Sequence, residues 1–157
     1  MNFRILFKSM PLIIAGLLFA AQAFSQDQSA TTHRTPSAAG ATVGFANLSD
    51  GDVVPPVFKV KFTVNGMDIA PAGTQKENTG HHHLLIDLAE LPDMNHPLPA
   101  TDNIRHFGKG QTEAELTLPE GQHTLQLLFA DYAHIPHSPP VVSKKITITV
   151  KADAANP

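Results

Sequence analysis

The chain has 157 residues, with 11 basic residues against 14 acidic ones, nine histidines and no cysteine. The missing cysteine excludes a disulfide framework, a thiolate zinc site, an iron–sulfur cluster and a cysteine nucleophile. The acidic balance argues against nucleic acid as a partner, which leaves the histidine enrichment as the compositional clue to function.

In chain order, Met1–Met10 carries Arg4 and Lys8 and no acid, and the apolar run PLIIAGLLFAAQA follows. That is the form of a secretory signal peptide, too short to span a membrane comfortably. We place it at residues 1–25, with cleavage after Ala23 or Ser25. Its removal takes away two basic residues and no acid, so the net charge moves to about −5. No later segment is apolar enough to cross a membrane, and no cysteine is available for a lipid anchor. The expected location is therefore periplasmic or secreted. Residues 26–40, QDQSATTHRTPSAAG, are polar, small and aperiodic, and read as a flexible linker. The ordered domain is expected over residues 41–151, with a frayed tail at 152–157.

Within the domain the apolar residues alternate. Phe58, Val60, Phe62 and Val64 share one face of VFKVKFTVN; Leu116 and Leu118 do so in AELTL; Leu125, Leu127 and Phe129 in QHTLQLLFAD; Ile146, Ile148 and Val150 in KKITITV. Period-two patterns of this kind are half-buried strands. Turn signals fall between them: SDGD, PP, NG, PAG, FGKG, PEG and SPP. Seven strands are predicted, at residues 41–48, 57–65, 81–88, 104–107, 112–118, 122–130 and 141–150, with no helix of ten residues. Short strands at this spacing indicate an all-β fold, an immunoglobulin-like antiparallel β-sandwich.

In such a sandwich, the loops after the second, fourth and sixth strands lie at one end. His81, His82 and His83 open the third strand, His106 ends the fourth, and His134 and His137 occupy the loop DYAHIPHSPP after the sixth. All six are thus expected at one end. His81 and His83 project from the same face, with Cα atoms roughly 6.5–7 Å apart, so both imidazoles can reach one metal ion; otherwise they form an exposed polar strand start. His82 shares the parity of Leu84 and Ile86 and is expected inward, as a buried, hydrogen-bonded histidine. Asp131 suits a partner that orients a ligating histidine, or a turn cap. Gly108 and Gly110 permit a tight turn beside His106, and Lys109 between them favours an anion over a metal. His123 is expected to be structural, His96 to be a solvent-side loop residue, and Pro139 and Pro140 to stiffen their loop.

Imidazole and carboxylate ligands suit zinc or copper(II). The chain lacks a G-x-S-x-G elbow, an H-E-x-x-H helix and a phosphate loop. The leading expectation is therefore non-enzymatic binding of a divalent metal by His81, His83, His134 and His137, with His106 as a fifth candidate. Two alternatives remain: a module for an anionic or sugar ligand or a protein partner, using Lys109, and a purely structural histidine network.

Taken together, GHHHLLID, HFGKGQTE and the closing pattern HTLQL…D…H.PH.PPV.S..I.I.V resemble domain-of-unknown-function family 4399, a group of small secreted bacterial proteins. The resemblance runs from about Val43 to Val150. The family's distinctive positions correspond to His81, His82, His83, His106, Phe107, Gly108, Lys109, Gly110, His123, Asp131, His134, His137, Pro139 and Pro140. The resemblance implies an exported domain whose character lies in these motifs, and it implies no activity.

Overall fold

The computed structural model describes residues 34–157. The signal peptide expected at residues 1–25 and the first part of the linker lie outside the described residues. Ten strands follow: β1 Thr42–Phe45, β2 Val53–Val54, β3 Val57–Asn65, β4 Asp68–Ile69, β5 Thr79–Ile86, β6 Ile104–His106, β7 Glu113–Thr117, β8 Gly121–Ala130, β9 Pro136–Val142 and β10 Ile146–Val150. Among the described residues there is no helix.

The strands form two sheets. One has the order β1-β3-β7; the other runs β2-β10-β8-β5-β4, with β6 added to β5 and β9 added to β8. The order β1-β3-β7 against β10-β8-β5 is that of an immunoglobulin-like sandwich. The main pairings are antiparallel, while the two-residue strands β2 and β4 pair in parallel with β10 and β5. The core lies between the sheets, where Phe58, Val60, Phe62 and Leu116 from one meet Leu84, Leu125, Leu127, Phe129 and Ile148 from the other. Each fully buried side chain of this size contributes about 1.5–3 kcal/mol. The alternation in β3 explains its position directly: Phe58, Val60 and Phe62 are buried and Lys59, Lys61 and Thr63 exposed.

Three expectations need correction. The last predicted strand is two strands, because Ser143 breaks the ladder. Its hydroxyl accepts the Leu127 amide at 2.9 Å and donates to the Lys144 carbonyl at 2.7 Å, while its own amide still donates to the Leu127 carbonyl at 2.9 Å, so a side chain takes over one of the two ladder bonds there. His137 consequently lies in β9 rather than in a loop. The strand at residues 104–106 pairs with β5 in the larger sheet, so His106 sits opposite His83 in the register. Finally, residues 34–40 are not a free arm. Ser37 N donates to Ser138 O (3.2 Å), and Ser138 N donates to Thr35 O (2.9 Å), which lays this segment along β9.

β5 departs from alternation, since all eight of its residues are buried. Its inner face, with His82, Leu84 and Ile86, joins the main core. Its outer face meets a second apolar cluster of Leu85, Leu98, Ile104, Leu128 and Ala130. Leu98 comes from the connection after β5, and Ile104 from β6, which pairs beside β5 in the same sheet. His81 and His83 are buried as well, so the alternative of an exposed polar strand start does not hold.

Candidate metal centre

The alternation of β5 sends His81 and His83 to its outer face with ring centroids 4.8 Å apart. Cross-strand pairing brings in the third histidine: His106 lies opposite His83, and their rings stack at 5.1 Å. Gly108 leaves the space for it, because a Cβ there would stand 2.3–2.4 Å from the His106 ring. The fourth, His134, comes from the loop between β8 and β9. Its ring centroid is 4.5 Å from that of His106 and 5.1 Å from that of His81. His134 has a φ of 66°, a left-handed conformation that costs a non-glycine residue on the order of 1–3 kcal/mol. Asp131 holds that loop: Oδ1 accepts the amides of Ala133 (2.9 Å) and Ile135 (3.0 Å), on either side of His134.

The ring nitrogens converge. His106 Nε2 lies 3.1 Å from His81 Nε2 and 3.1 Å from His134 Nε2. A neutral Nε2 carries either one hydrogen or one lone pair. His106 Nε2 therefore cannot donate to one neighbour and accept from the other, and the chain of three cannot be fully satisfied as hydrogen bonds. His81 Nδ1 and both ring nitrogens of His83 are buried with no hydrogen-bond partner among the described residues. An unsatisfied buried nitrogen costs about 1–3 kcal/mol. His81, His83 and His106 each present a ligand nitrogen within 4.8 Å of the others, and this trio could hold a metal ion. The site grades from fully buried His81 and His83 to exposed His106.

Electrostatics favour the neutral form of His81, His83 and His106. Burial, reinforced by the neighbouring imidazoles, lowers His81 to about 3 and His83 to about 2. Burial and His134 also lower His106. Neutral imidazole is the form that binds metals.

The sequence profile of a domain of unknown function, DUF4399, matches residues 60–151. This chain belongs to the DUF4399 family. No curated protein and no solved structure matches it. The DUF4399 segment contains all four clustered histidines and every strand from β4 to β10.

The other residues singled out in this DUF4399 chain lie elsewhere. His137 is not in the cluster. Its ring stacks on Phe129 at 6.0 Å, on the face of the sheet that carries His82. Gly80 makes room for it, since a Cβ there would come within 3.0 Å of His137 Nε2. His82 is inward as expected, between Phe62 and Phe129 at 5.2 Å from each. It is not hydrogen-bonded as expected: neither ring nitrogen has a partner in bonding geometry. Burial lowers its pKa, and the nearby Thr63 and Gln111 backbones offset part of that. The Asp131 carboxylate bonds no cluster imidazole and acts as a loop cap. Lys109 sits in the exposed turn after His106, its amide held by Gln111 Oε1 at 2.8 Å. Gly110 closes that turn at φ 79°. His123 bridges Asp87 Oδ2 (2.7 Å) and the Pro119 carbonyl (2.9 Å), a structural tie. His96 pairs with Asp93 in an exposed loop. Pro139 and Pro140 are exposed in β9.

Sequence reasoning missed Arg34 and Thr35, which bond to the β8–β9 region. No local signal marks them, because their partners lie about a hundred residues away. A cavity of about 580 Å³ opens beside Thr35, Lys76, Glu77, Asp131 and His137. None of the four clustered histidines lines it, and its mixed charges single out no ligand chemistry.

Proposed function

We propose that this protein binds a divalent transition metal ion, zinc or copper(II), through His81, His83, His106 and His134, as a non-enzymatic exported domain. The observation that carries the reading is that His106 Nε2 lies 3.1 Å from both His81 Nε2 and His134 Nε2. Four nitrogens about 2.0 Å from a tetrahedral metal stand about 3.3 Å apart, so a small adjustment around an ion turns an unsatisfiable hydrogen-bond chain into a ligand set. All-imidazole ligation suits zinc and copper(II).

The alternatives draw less support. With His81 and His83 held far below their ordinary pKa, these two imidazoles carry no charge near pH 7 with which to attract an anion. A purely structural network would have satisfied nitrogens, and these are not.

The test is a calorimetric titration with zinc and with copper(II) at pH 7.5, alongside the thermal midpoint. One-to-one binding that raises the midpoint and disappears in a His81→Ala, His106→Ala double variant is expected. No saturable uptake by the wild-type chain overturns the reading. Export rests on the first 25 residues alone. It predicts a mature protein beginning at Phe24 or Gln26, read by intact mass of the chain recovered from cells; an uncleaved chain contradicts it.

A further inference from the structure

Resting on the metal reading above, we propose that Arg34 and Thr35 are positioning residues for the metal centre, which hold the β8–β9 loop so that His134 can serve as its fourth ligand. The loop from Asp131 to His137 is tied at both ends by one side chain. Thr35 Oγ1 donates to Asp131 Oδ2 at 3.0 Å and lies 2.8 Å from His137 Nδ1. The hydroxyl has a single hydrogen, which goes to the carboxylate, so it accepts from Nδ1–H of His137. Arg34 clamps the same end of the loop, donating from Nε to the Pro136 carbonyl at 3.0 Å and from its terminal nitrogen to the His137 carbonyl.

The force of this arrangement comes from what the loop carries. The carboxylate that Thr35 holds is the one whose other oxygen accepts the amides of Ala133 and Ile135. Between those amides sits His134, in a left-handed conformation that the surroundings must impose. Its own amide donates to the Asp131 carbonyl (3.0 Å), and its carbonyl accepts the Leu98 amide (2.9 Å). Asp131, His137, the loop backbone and the arm thus form one bonded unit, and His134 Nε2 is its free end, 3.1 Å from His106 Nε2. His81, His83 and His106 stand on β5 and β6 and need no such support. The arm therefore acts on one ligand of four.

The experiment uses the otherwise intact chain carrying Thr35→Val, which keeps the shape of threonine and removes the hydroxyl, beside Thr35→Ser, which restores it. Zinc affinity is measured by competition with a chelating indicator, and the coordination number by the visible spectrum of the cobalt(II)-loaded protein. The expected result for Thr35→Val is zinc affinity about 10–100-fold weaker, the range for outer-shell partners of metal ligands. Its cobalt bands should lose the intensity of a four-nitrogen site, and Thr35→Ser should recover both. Should Thr35→Val fail to fold, Arg34→Met is read in the same way. Unchanged affinity and spectrum, even with a lower thermal midpoint, would make the contacts merely structural and overturn the inference while leaving the metal reading intact. If the wild-type chain takes up no metal, the metal reading fails and this inference fails with it.

Discussion

At the scale of single residues, two positions separate the candidate metal centre from the rest of the histidines. Gly108 owes its identity to the His106 ring, which occupies the space a side chain would need. Gly108→Ala should push that ring aside and weaken zinc binding by about tenfold or more, the cost of a displaced support, while the thermal midpoint of the metal-free protein moves little. A variant that binds zinc like the wild type would show that His106 is no ligand. His82 makes the opposite case. It is a buried imidazole between two phenylalanines with both nitrogens unpartnered. Removing two unsatisfied buried nitrogens relieves a cost of about 1–3 kcal/mol, so His82→Leu should raise stability in urea unfolding and leave zinc affinity unchanged. Loss of zinc binding in that variant would give His82 a role this account denies it.

At the scale of elements, β5 shapes most of the candidate site. Its residues are buried on both faces, so three adjacent imidazoles are held out of water. The pH dependence follows. His81 and His83 titrate at about 3 and about 2 in the folded protein and near 6.5 in the unfolded chain. Between those values the unfolded state binds protons that the folded state does not, so stability rises with pH across the interval. The metal-free protein should be at full stability above pH 6.5 and lose it progressively as the pH falls toward 3, by up to about 1.4 kcal/mol per pH unit for each histidine. Urea midpoints at pH 7.5, 6 and 5 measure this, and a flat profile would mean that the imidazoles are solvated. The burial of β5 was half visible in the sequence. Leu84-Leu85-Ile86 is a continuous apolar run, the pattern of a strand covered on both sides. Leu98, which joins the outer cluster, comes from a proline-rich stretch with no periodicity to reveal it, whereas Ile104 belongs to the strand expected at residues 104–107.

At the scale of the whole molecule, the sandwich was legible because alternation is a local property. β3 lies where its pattern predicts, and the inward residues of β7, β8 and β10 are the expected ones. The site was legible in part. The same-face projection of His81 and His83 follows from strand geometry alone. His106 and His134 join them through a β5–β6 pairing and a loop cap, both long-range contacts that a sequence does not display. His137 was grouped with them because it neighbours His134 in the chain. A β-bulge between Phe129 and Ala130 and the early start of β9 instead put it against Phe129. The arm escaped notice for a similar reason: a polar, aperiodic segment reads as unstructured unless its distant partners are known.

The most direct test of the central claim is X-ray absorption at the zinc edge of the wild-type protein loaded with one equivalent of zinc. Four nitrogen scatterers near 2.0 Å, with the outer-shell pattern of imidazole rings, are predicted. A shell made up of oxygen with no imidazole signature would contradict the claim that these four histidines form a metal centre.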